Sequence, residues 1–159
     1  MIKKVIAGLI ASSIALFALP NNEVELILVS KALEKKAVVL ATMGLQGETK
    51  EKFGKLYDEY QEKLMKQRVQ ELQLIQEYAA SYTNLTDKKA DELIKTWVAS
   101  KDTGLTLQKN YMAKFKKIMP SSDVIRYFQI ENRLQIMREA QISSVVPLAV
   151  PAPTPIEAK

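Results

Sequence analysis

Apolar residues in the middle of the chain recur at intervals of three and four, which is the period of an amphipathic helix. The clearest run begins at Thr49 and ends near Tyr82, and Gly44 and Gly47 separate it from an earlier helix. Its apolar positions are Phe53, Tyr57, Tyr60, Leu64, Leu72, Ile75, Ala79 and Tyr82. Arg68 interrupts this line, so the pattern predicts a long helix that bends or changes partner there.

Two further helices flank this one in the sequence. The first is predicted from about Glu23 to Met43. The third begins in "NLTDKKADELI", where Asn84 or Thr86 supplies the N-terminal cap. Its predicted apolar face comprises Ala90, Leu93, Ile94, Trp97, Tyr111, Met112, Phe115 and Ile118. Gly104 lies inside this helix, costs about 1 kcal/mol relative to alanine and predicts a kink.

A fourth helix follows Pro120, which is predicted to end the third helix near Met119. Ser121 or Ser122 is predicted to cap it, and it extends to about Ile142. Its apolar face comprises Val124, Tyr127, Phe128, Ile130, Leu134 and Met137. The pattern therefore predicts an all-α fold, in which a long antiparallel hairpin is joined by a shorter N-terminal helix and a C-terminal helix.

The two ends of the chain differ in composition from its middle. Two lysines precede an uncharged apolar run, Val5 to Phe17, which is shorter than the roughly 20 residues of a membrane span. Small residues follow, which predicts cleavage of an export signal after Ala15 or Ala18; an uncleaved anchor helix is the alternative. The predicted organisation is a signal peptide at 1–18, a single helical domain at 19–144 and an extended, proline-rich tail at 145–159.

Composition excludes several kinds of chemistry. The chain has no cysteine and no histidine, so it offers no thiolate, no disulfide and no imidazole for a metal or for general base catalysis. Two carboxylate pairs, Asp58 with Glu62 and Asp87 with Asp91, share helix faces but lie among lysines on predicted solvent-facing helices. The serines lack a histidine partner. We therefore expect no enzyme activity, no metal and no cofactor.

The net charge of +5 is mild and does not by itself indicate a nucleic-acid partner. In "KKIMPSSDVIRYFQIENRL", the aromatic residues fit helix packing and the lysines fit the carbonyl end of the preceding helix. Export would also remove nucleic acid as a partner, and we expect no stable membrane insertion after signal cleavage. The remaining lysines either form a basic surface or belong to solvated faces with pairs such as Glu59–Lys63 and Glu62–Lys66, which we favour. The lysines concerned are Lys31, Lys35, Lys36, Lys109, Lys114, Lys116 and Lys117.

Two stretches, "LYDEYQEKLMKQRVQELQLIQEYAASYTNLTDKKADELI" and "KNYMAKFKKIMPSSDVIRYFQIENRL", resemble the Spy/CpxP group of bacterial periplasmic proteins, also called LTxxQ proteins. The resemblance extends from Lys31 to Leu148. The positions that match the motifs are Leu85, Thr86, Asp87, Arg126, Phe128, Gln129, Glu131 and Asn132. The chain departs from the family in both boxes, because "LQGET" replaces the first and "LTDKK" ends in lysine instead of glutamine.

The resemblance implies a cradle-like periplasmic protein, often dimeric, that binds unfolding proteins or moderates an envelope-stress sensor. Metal-binding relatives use histidine and cysteine, so a zinc role does not carry over. We therefore expect ATP-independent chaperone-like or stress-modulating binding. The expected partners are unfolded or envelope proteins, a stress-sensor domain and a second copy of the chain. The alternative is a structural or adaptor protein of the envelope that acts through helix-mediated self-association.

Methionine and aromatic side chains are the candidates for client contact, because flexible thioethers and amphipathic rings suit a surface that accepts many sequences. The same residues can instead fill the interior of a thin helical assembly. The candidates are Phe53, Tyr57, Tyr60, Met65, Trp97, Tyr111, Met112 and Phe115. The sequence does not separate those that face a client from those in the core.

Overall fold

The computed structural model describes residues 33–150, in which it contains four helices and no strand. Helix α1 covers residues 33–43, α2 covers Gly47–Ser81, α3 covers Asp87–Phe115 and α4 covers Ser121–Val145. Helices α2 and α3 pack as the long antiparallel hairpin, which confirms the predicted all-α fold. The predicted start of the first helix at Glu23, the signal peptide and the end of the tail lie outside the described residues.

Helix α1 lies antiparallel to α4. Near one end of α1, Lys35 Nζ lies 2.6 Å from Glu131 Oε2. Near the other end, Arg126 Nη2 donates to the backbone oxygen of Thr42 at 2.8 Å. Because Lys36 also pairs with Asp58 of α2 at 2.7 Å, α1 is held between α2 and α4.

Helix α4 lies parallel to α2. Tyr127 packs against Phe53, with ring centroids 5.1 Å apart. Further along both helices, Arg138 Nη2 lies 3.2 Å from Glu71 Oε2. The four helices therefore alternate in direction, each antiparallel to the one before it in the chain.

The core lies at one end of the bundle, called the base here, where the connections at residues 44–46 and 116–120 meet. The base contains the buried aromatic rings of Phe53, Tyr57, Tyr60, Tyr111, Phe115, Tyr127 and Phe128. Tyr127 is central, because its ring centroid lies 4.8 Å from that of Phe115 and 4.9 Å from that of Phe128. These contacts join α2, α3 and α4 in one aromatic cluster.

The opposite end of the bundle, the distal end, surrounds the turn at residues 82–86 and has a much smaller apolar interior. Between Tyr60 and Tyr111, the described residues include one buried apolar side chain, Leu93. Gln67, a polar residue, is also buried there. The described bundle therefore has a wide aromatic base and a thin distal end.

The first residues of the predicted tail lie against the end of α2. Residues 146–150 are not helical, as expected for a proline-rich segment. Tyr78 donates its hydroxyl hydrogen to the backbone oxygen of Pro147 at 2.7 Å, and the Val150 N–H donates to the Tyr82 oxygen at 3.4 Å. The tail therefore begins by following α2 to the distal end.

Thr86 is the residue that caps α3. Its hydroxyl oxygen accepts a hydrogen bond from the backbone N–H of Lys89 at 3.3 Å, which satisfies one of the free donors in the first turn. Asn84 instead belongs to the preceding turn, where its N–H donates to the Ser81 oxygen. Asp87 occupies the first turn, and its negative charge favours that end of the helix dipole.

Helix α3 ends at Phe115, earlier than the predicted end at Met119. Proline disfavours the helical conformation for the residue before it, so the α-helix cannot continue through Met119 to Pro120. The chain tightens into a turn, in which the Lys117 N–H donates to the Lys114 oxygen at 3.0 Å.

The prediction that Ser121 or Ser122 caps α4 is wrong. Pro120 is the N-cap, and the helix begins at Ser121 without a side-chain cap. The carbonyl oxygen of Pro120 accepts the N–H groups of Asp123 at 3.0 Å and Val124 at 3.1 Å. The extended ψ angle of 151° at Pro120 aims its carbonyl into the helix, so a hydroxyl is not required there.

Candidate binding surface

Most of the predicted client-contact residues lie inside the base. Phe53, Tyr57, Tyr60, Tyr111 and Phe115 are buried, and Met65 and Met112 are half-buried. Their burial favours the alternative in which these side chains fill the interior. In the folded chain they do not form an open surface.

Trp97 is the exception among the candidates, because 56% of it is exposed. Ile94, Val98 and Leu105 are also exposed on α3, by 57%, 45% and 49%. Residues 94, 98 and 105 fall on one line of the helix, and Trp97 lies beside it. We call these four residues the α3 face. Exposed, charged Lys101 and Asp102 lie between Val98 and Leu105, so the face consists of an apolar group at residues 94–98 and a separate Leu105. Exposed apolar groups that lie close together mark interaction sites in soluble proteins.

The sequence placed Ile94 and Trp97 on the packed side of this helix, and the structure places them outside. The side of α3 that meets α2 carries Leu93, Ser100 and Gly104, which are buried or half-buried. Small residues at two of these positions allow α3 to approach α2 closely. Hydrophobicity alone could not identify this side, because α3 carries more apolar positions than one contact requires.

Charged residues continue the α3 face at both of its ends. Asp91 lies one turn before Ile94, and Lys109 lies one turn after Leu105, on the same helical line. Both side chains are exposed. This side of α3 therefore has an acidic residue at its start, a basic residue at its end, and between them apolar residues that Lys101 and Asp102 interrupt.

Three lysines of the predicted basic surface, Lys35, Lys36 and Lys114, form ion pairs with carboxylates. Glu62 with Lys66 at 2.8 Å and Glu59 with Lys63 at 3.7 Å are both present, which confirms the predicted helix pairs. Lys114 also binds Glu59 at 2.7 Å, and hydrogen bonds from Lys114 and Tyr111 lower the pKa of Glu59 to about 2. Solvated, paired faces therefore account for part of this charge. Lys109, Lys116 and Lys117 are exposed and form no ion pair within residues 33–150, and Lys31 lies outside the described residues.

Three of the positions that match the family motifs make contacts within the fold. Phe128 lies in the aromatic base, Arg126 holds the end of α1, and Glu131 is buried. Leu85 is half-buried in the turn before α3, next to Thr86 and Asp87. Gln129 and Asn132 are exposed on α4.

Glu131 belongs to a buried polar network that the sequence analysis missed. Its carboxylate binds Lys35 Nζ at 2.6 Å and accepts a hydrogen bond from Gln61 Nε2 at 3.1 Å. Burial lowers the pKa of Lys35 to about 8, although Glu131 acts in the opposite direction. The sequence did contain a signal: Lys35 lies four residues before Val39 and eight before Met43, on the buried line of α1.

Stability is expected to rise with pH above about pH 8 because of Lys35. Its pKa is about 8 in the folded chain and 10.5 in the unfolded chain, so between these values the unfolded chain binds more protons. The free energy of unfolding should increase there by at most about 1.4 kcal/mol per pH unit. Urea unfolding from pH 7.5 to 9.5 tests this, with Lys35→Met as the control that should lack the increase. A flat or falling profile in the unsubstituted chain would contradict it.

Within residues 33–150, no group of side chains is arranged to hold a metal ion. No helix in that range combines the length and the hydrophobicity needed to cross a membrane. Comparison of the chain with protein-family models, with curated proteins and with solved structures finds no match. The resemblance to Spy/CpxP proteins therefore stays a prediction that rests on the sequence motifs.

Proposed function

We propose that the chain is an exported, Spy/CpxP-like helical protein that binds unfolding or envelope proteins without ATP, as a chaperone or as a modulator of a stress sensor. The α3 face is the observation that supports this function best. Its four large apolar side chains are exposed on a helix whose other side already packs against α2. A partner segment would gain apolar contact there without opening the core.

The charges at the two ends of the α3 face fit a two-step mechanism. Exposed charges attract a partner over a distance of about 10 Å at moderate salt, before any apolar contact forms. Trp97 and its neighbours then exclude water from the contact, which supplies the affinity. Binding should therefore become slower as salt increases while its apolar part persists.

Export supplies the setting for this activity. The uncharged apolar run after Lys3 and Lys4 supports a signal peptide, and we place the mature protein in the periplasm. The absence of cysteine means that such a protein would not depend on disulfide formation there. Fractionation of cells that express the full chain tests the location directly, by the compartment and the mass of the recovered protein.

The matched pair Ile94→Ser and Ile125→Ser tests the α3 face. Both isoleucines are exposed, by 57% and 60%, but Ile125 lies on α4. The purified chain from Leu16 is mixed with a chemically unfolding client while light scattering is followed. Suppression of scattering near stoichiometric amounts, weakened by Ile94→Ser and unchanged by Ile125→Ser, is the expected result. Equal effects of the two variants, or no suppression at large excess, would overturn the proposal.

Trp97 provides a direct signal of binding because it is the only tryptophan in the chain. Its side chain is more than half exposed, so contact with a client should shift its fluorescence to shorter wavelengths. Ile94→Ser should weaken the apparent affinity in this titration. An unchanged emission during effective suppression would place the client elsewhere.

The adaptor alternative is favoured by the order of charges along the α3 face. Two copies that meet along this face in antiparallel directions bring Asp91 of each copy toward Lys109 of the other. Sedimentation measurements distinguish the adaptor from the chaperone. A homodimer that Asp91→Lys disrupts would favour the adaptor, provided that the unsubstituted chain does not suppress scattering.

A further inference from the structure

A polar cavity lies between α2, α3 and α4, above the aromatic base, and Leu105 of the α3 face is one of its lining residues. Its volume is about 180 Å³. A cavity of about 150 Å³ is large enough to accept benzene, so this one has room for a small molecule. The lining residues that carry charge are Arg68, Glu71, Lys101 and Arg138.

The charges of this lining are one carboxylate, Glu71, and three cations, so the lining is positive on balance. Glu71 lies 3.2 Å from Arg138 and 3.7 Å from Lys101. Lys101 also lies 3.6 Å from Glu139. Arg68 makes no hydrogen bond or ion pair within residues 33–150, although the charges of Glu131 and Glu71 act to raise its pKa.

Arg68 is half-buried and lines the cavity with one of its polar atoms unsatisfied. Its Nε is buried and has no hydrogen-bond partner, and the same holds for the Nε of Arg138 across the cavity. Burial and the charge of Arg138 both lower the pKa of Arg68. A partly buried guanidinium group with an unsatisfied donor is stabilised when a negative group binds it.

Gln67, the residue before Arg68, also has a buried polar atom without a hydrogen-bond partner. Gln67 Nε2 donates to the Ser100 backbone oxygen at 3.0 Å, which leaves its Oε1 buried without a donor. Gly104 makes this arrangement possible, because a Cβ at that position would lie 2.4 Å from Gln67 Nε2. Helix α3 runs through Gly104 without interruption, so the predicted kink is replaced by a close contact beside the cavity.

We propose that this cavity binds a small oxyanion, of the carboxylate or phosphate type, between the guanidinium groups of Arg68 and Arg138. The planar fork of arginine matches two oxygens of such a group. A bound anion would contact helices α2 and α4 at once and would neutralise the unbalanced charge. Anion binding would not require client binding, because the two arginines belong to α2 and α4, and Leu105 is the one residue of the α3 face that lines the cavity.

Thermal unfolding of the mature chain with succinate, inorganic phosphate or chloride, at matched ionic strength, tests the proposal. A true site raises the melting temperature by roughly 5–10 °C at an anion concentration 100-fold above Kd. Comparison of succinate with phosphate separates the two oxyanion classes, and chloride controls for charge alone. No response to either oxyanion beyond that to chloride would overturn the proposal and leave a hydrated cavity only.

Two substitutions at Arg68 and one control assign any response to the cavity. Arg68→Met should abolish the oxyanion response and should not lower the melting temperature without anion, since it removes a half-buried charge that forms no ion pair within residues 33–150. Arg68→Lys keeps the charge but loses the fork, so we expect at least a 10-fold weaker Kd. Arg133→Met, at an exposed arginine of α4, should respond as the unsubstituted chain does. Loss of stability in Arg68→Met, with no response of the unsubstituted chain, would show that another group already pairs with Arg68.

Discussion

Replacing Glu131 with glutamine is expected to lower the free energy of unfolding by about 1–2 kcal/mol at pH 7, because it leaves the buried Lys35 cation without its counter-charge. Gln61 would still accept a hydrogen bond from Lys35 but cannot neutralise it. The loss has an upper bound, since Lys35 can release its proton instead. With a folded pKa of about 8, neutralising Lys35 at pH 7 costs about 1.4 kcal/mol.

Urea unfolding of Glu131→Gln, Lys35→Met and the double variant measures this coupling. The double variant should be more stable than Glu131→Gln alone, because it no longer contains the unpaired cation. The cost of Glu131→Gln should also shrink as pH rises and Lys35 becomes neutral more easily. Additive losses in the double variant would contradict a direct interaction between the two side chains.

Replacing Tyr127 with alanine is the second change with a large expected effect, a loss of about 3–5 kcal/mol. Its ring is fully buried and contacts the rings of Phe53, Phe115 and Phe128. Removal leaves a cavity where α2, α3 and α4 meet, and the surrounding rings are too interlocked to fill it. A protein of ordinary stability, about 5–15 kcal/mol, would lose a large share of it.

Three controls distinguish the effect of removing the Tyr127 ring from the effects of removing a hydroxyl or an exposed aromatic ring. Tyr127→Phe removes one hydrogen bond from Gln61, at 3.3 Å, and should cost about 1 kcal/mol or less. Tyr57→Phe removes a buried hydroxyl that has no partner and should cost nothing or stabilise the fold. Trp97→Ala, at an exposed aromatic, should cost less than about 1 kcal/mol. A similar cost for Tyr127→Ala and Trp97→Ala would contradict the position of the core.

The helices could be predicted from local patterns because their signals are local. The three-and-four spacing and the glycines placed α2 from Thr49 to Tyr82, close to the observed Gly47–Ser81. Gly44 ends α1 with a φ of 64°, a left-handed angle that favours glycine, and its N–H donates to the Leu40 oxygen. Such features depend on a few neighbouring residues and are visible in the sequence.

The α3 face, the buried polar network and the cavity depend on contacts between residues that are far apart in the sequence. Lys35 and Glu131 are 96 positions apart, so neither residue reveals its partner in the sequence. Arg68 interrupts an apolar line, which predicted a change at that point but not a cavity lined by three helices. Helix α3 has more apolar residues, Trp97 among them, than its contact with α2 can bury. Which of them stay exposed depends on the way α3 packs against α2.

The concentration of the aromatic core at the base implies that the bundle does not open uniformly. Regions with few buried apolar contacts open locally at lower free energy than the rest of a domain, and they do so as cooperative units. The distal halves of α2 and α3, which contain Leu93 as their one buried apolar side chain among the described residues, form such a unit. The hairpin tip can therefore separate and re-form while the base stays folded. Backbone amides should exchange with solvent fastest there, and each opening would transiently extend the apolar surface next to Trp97.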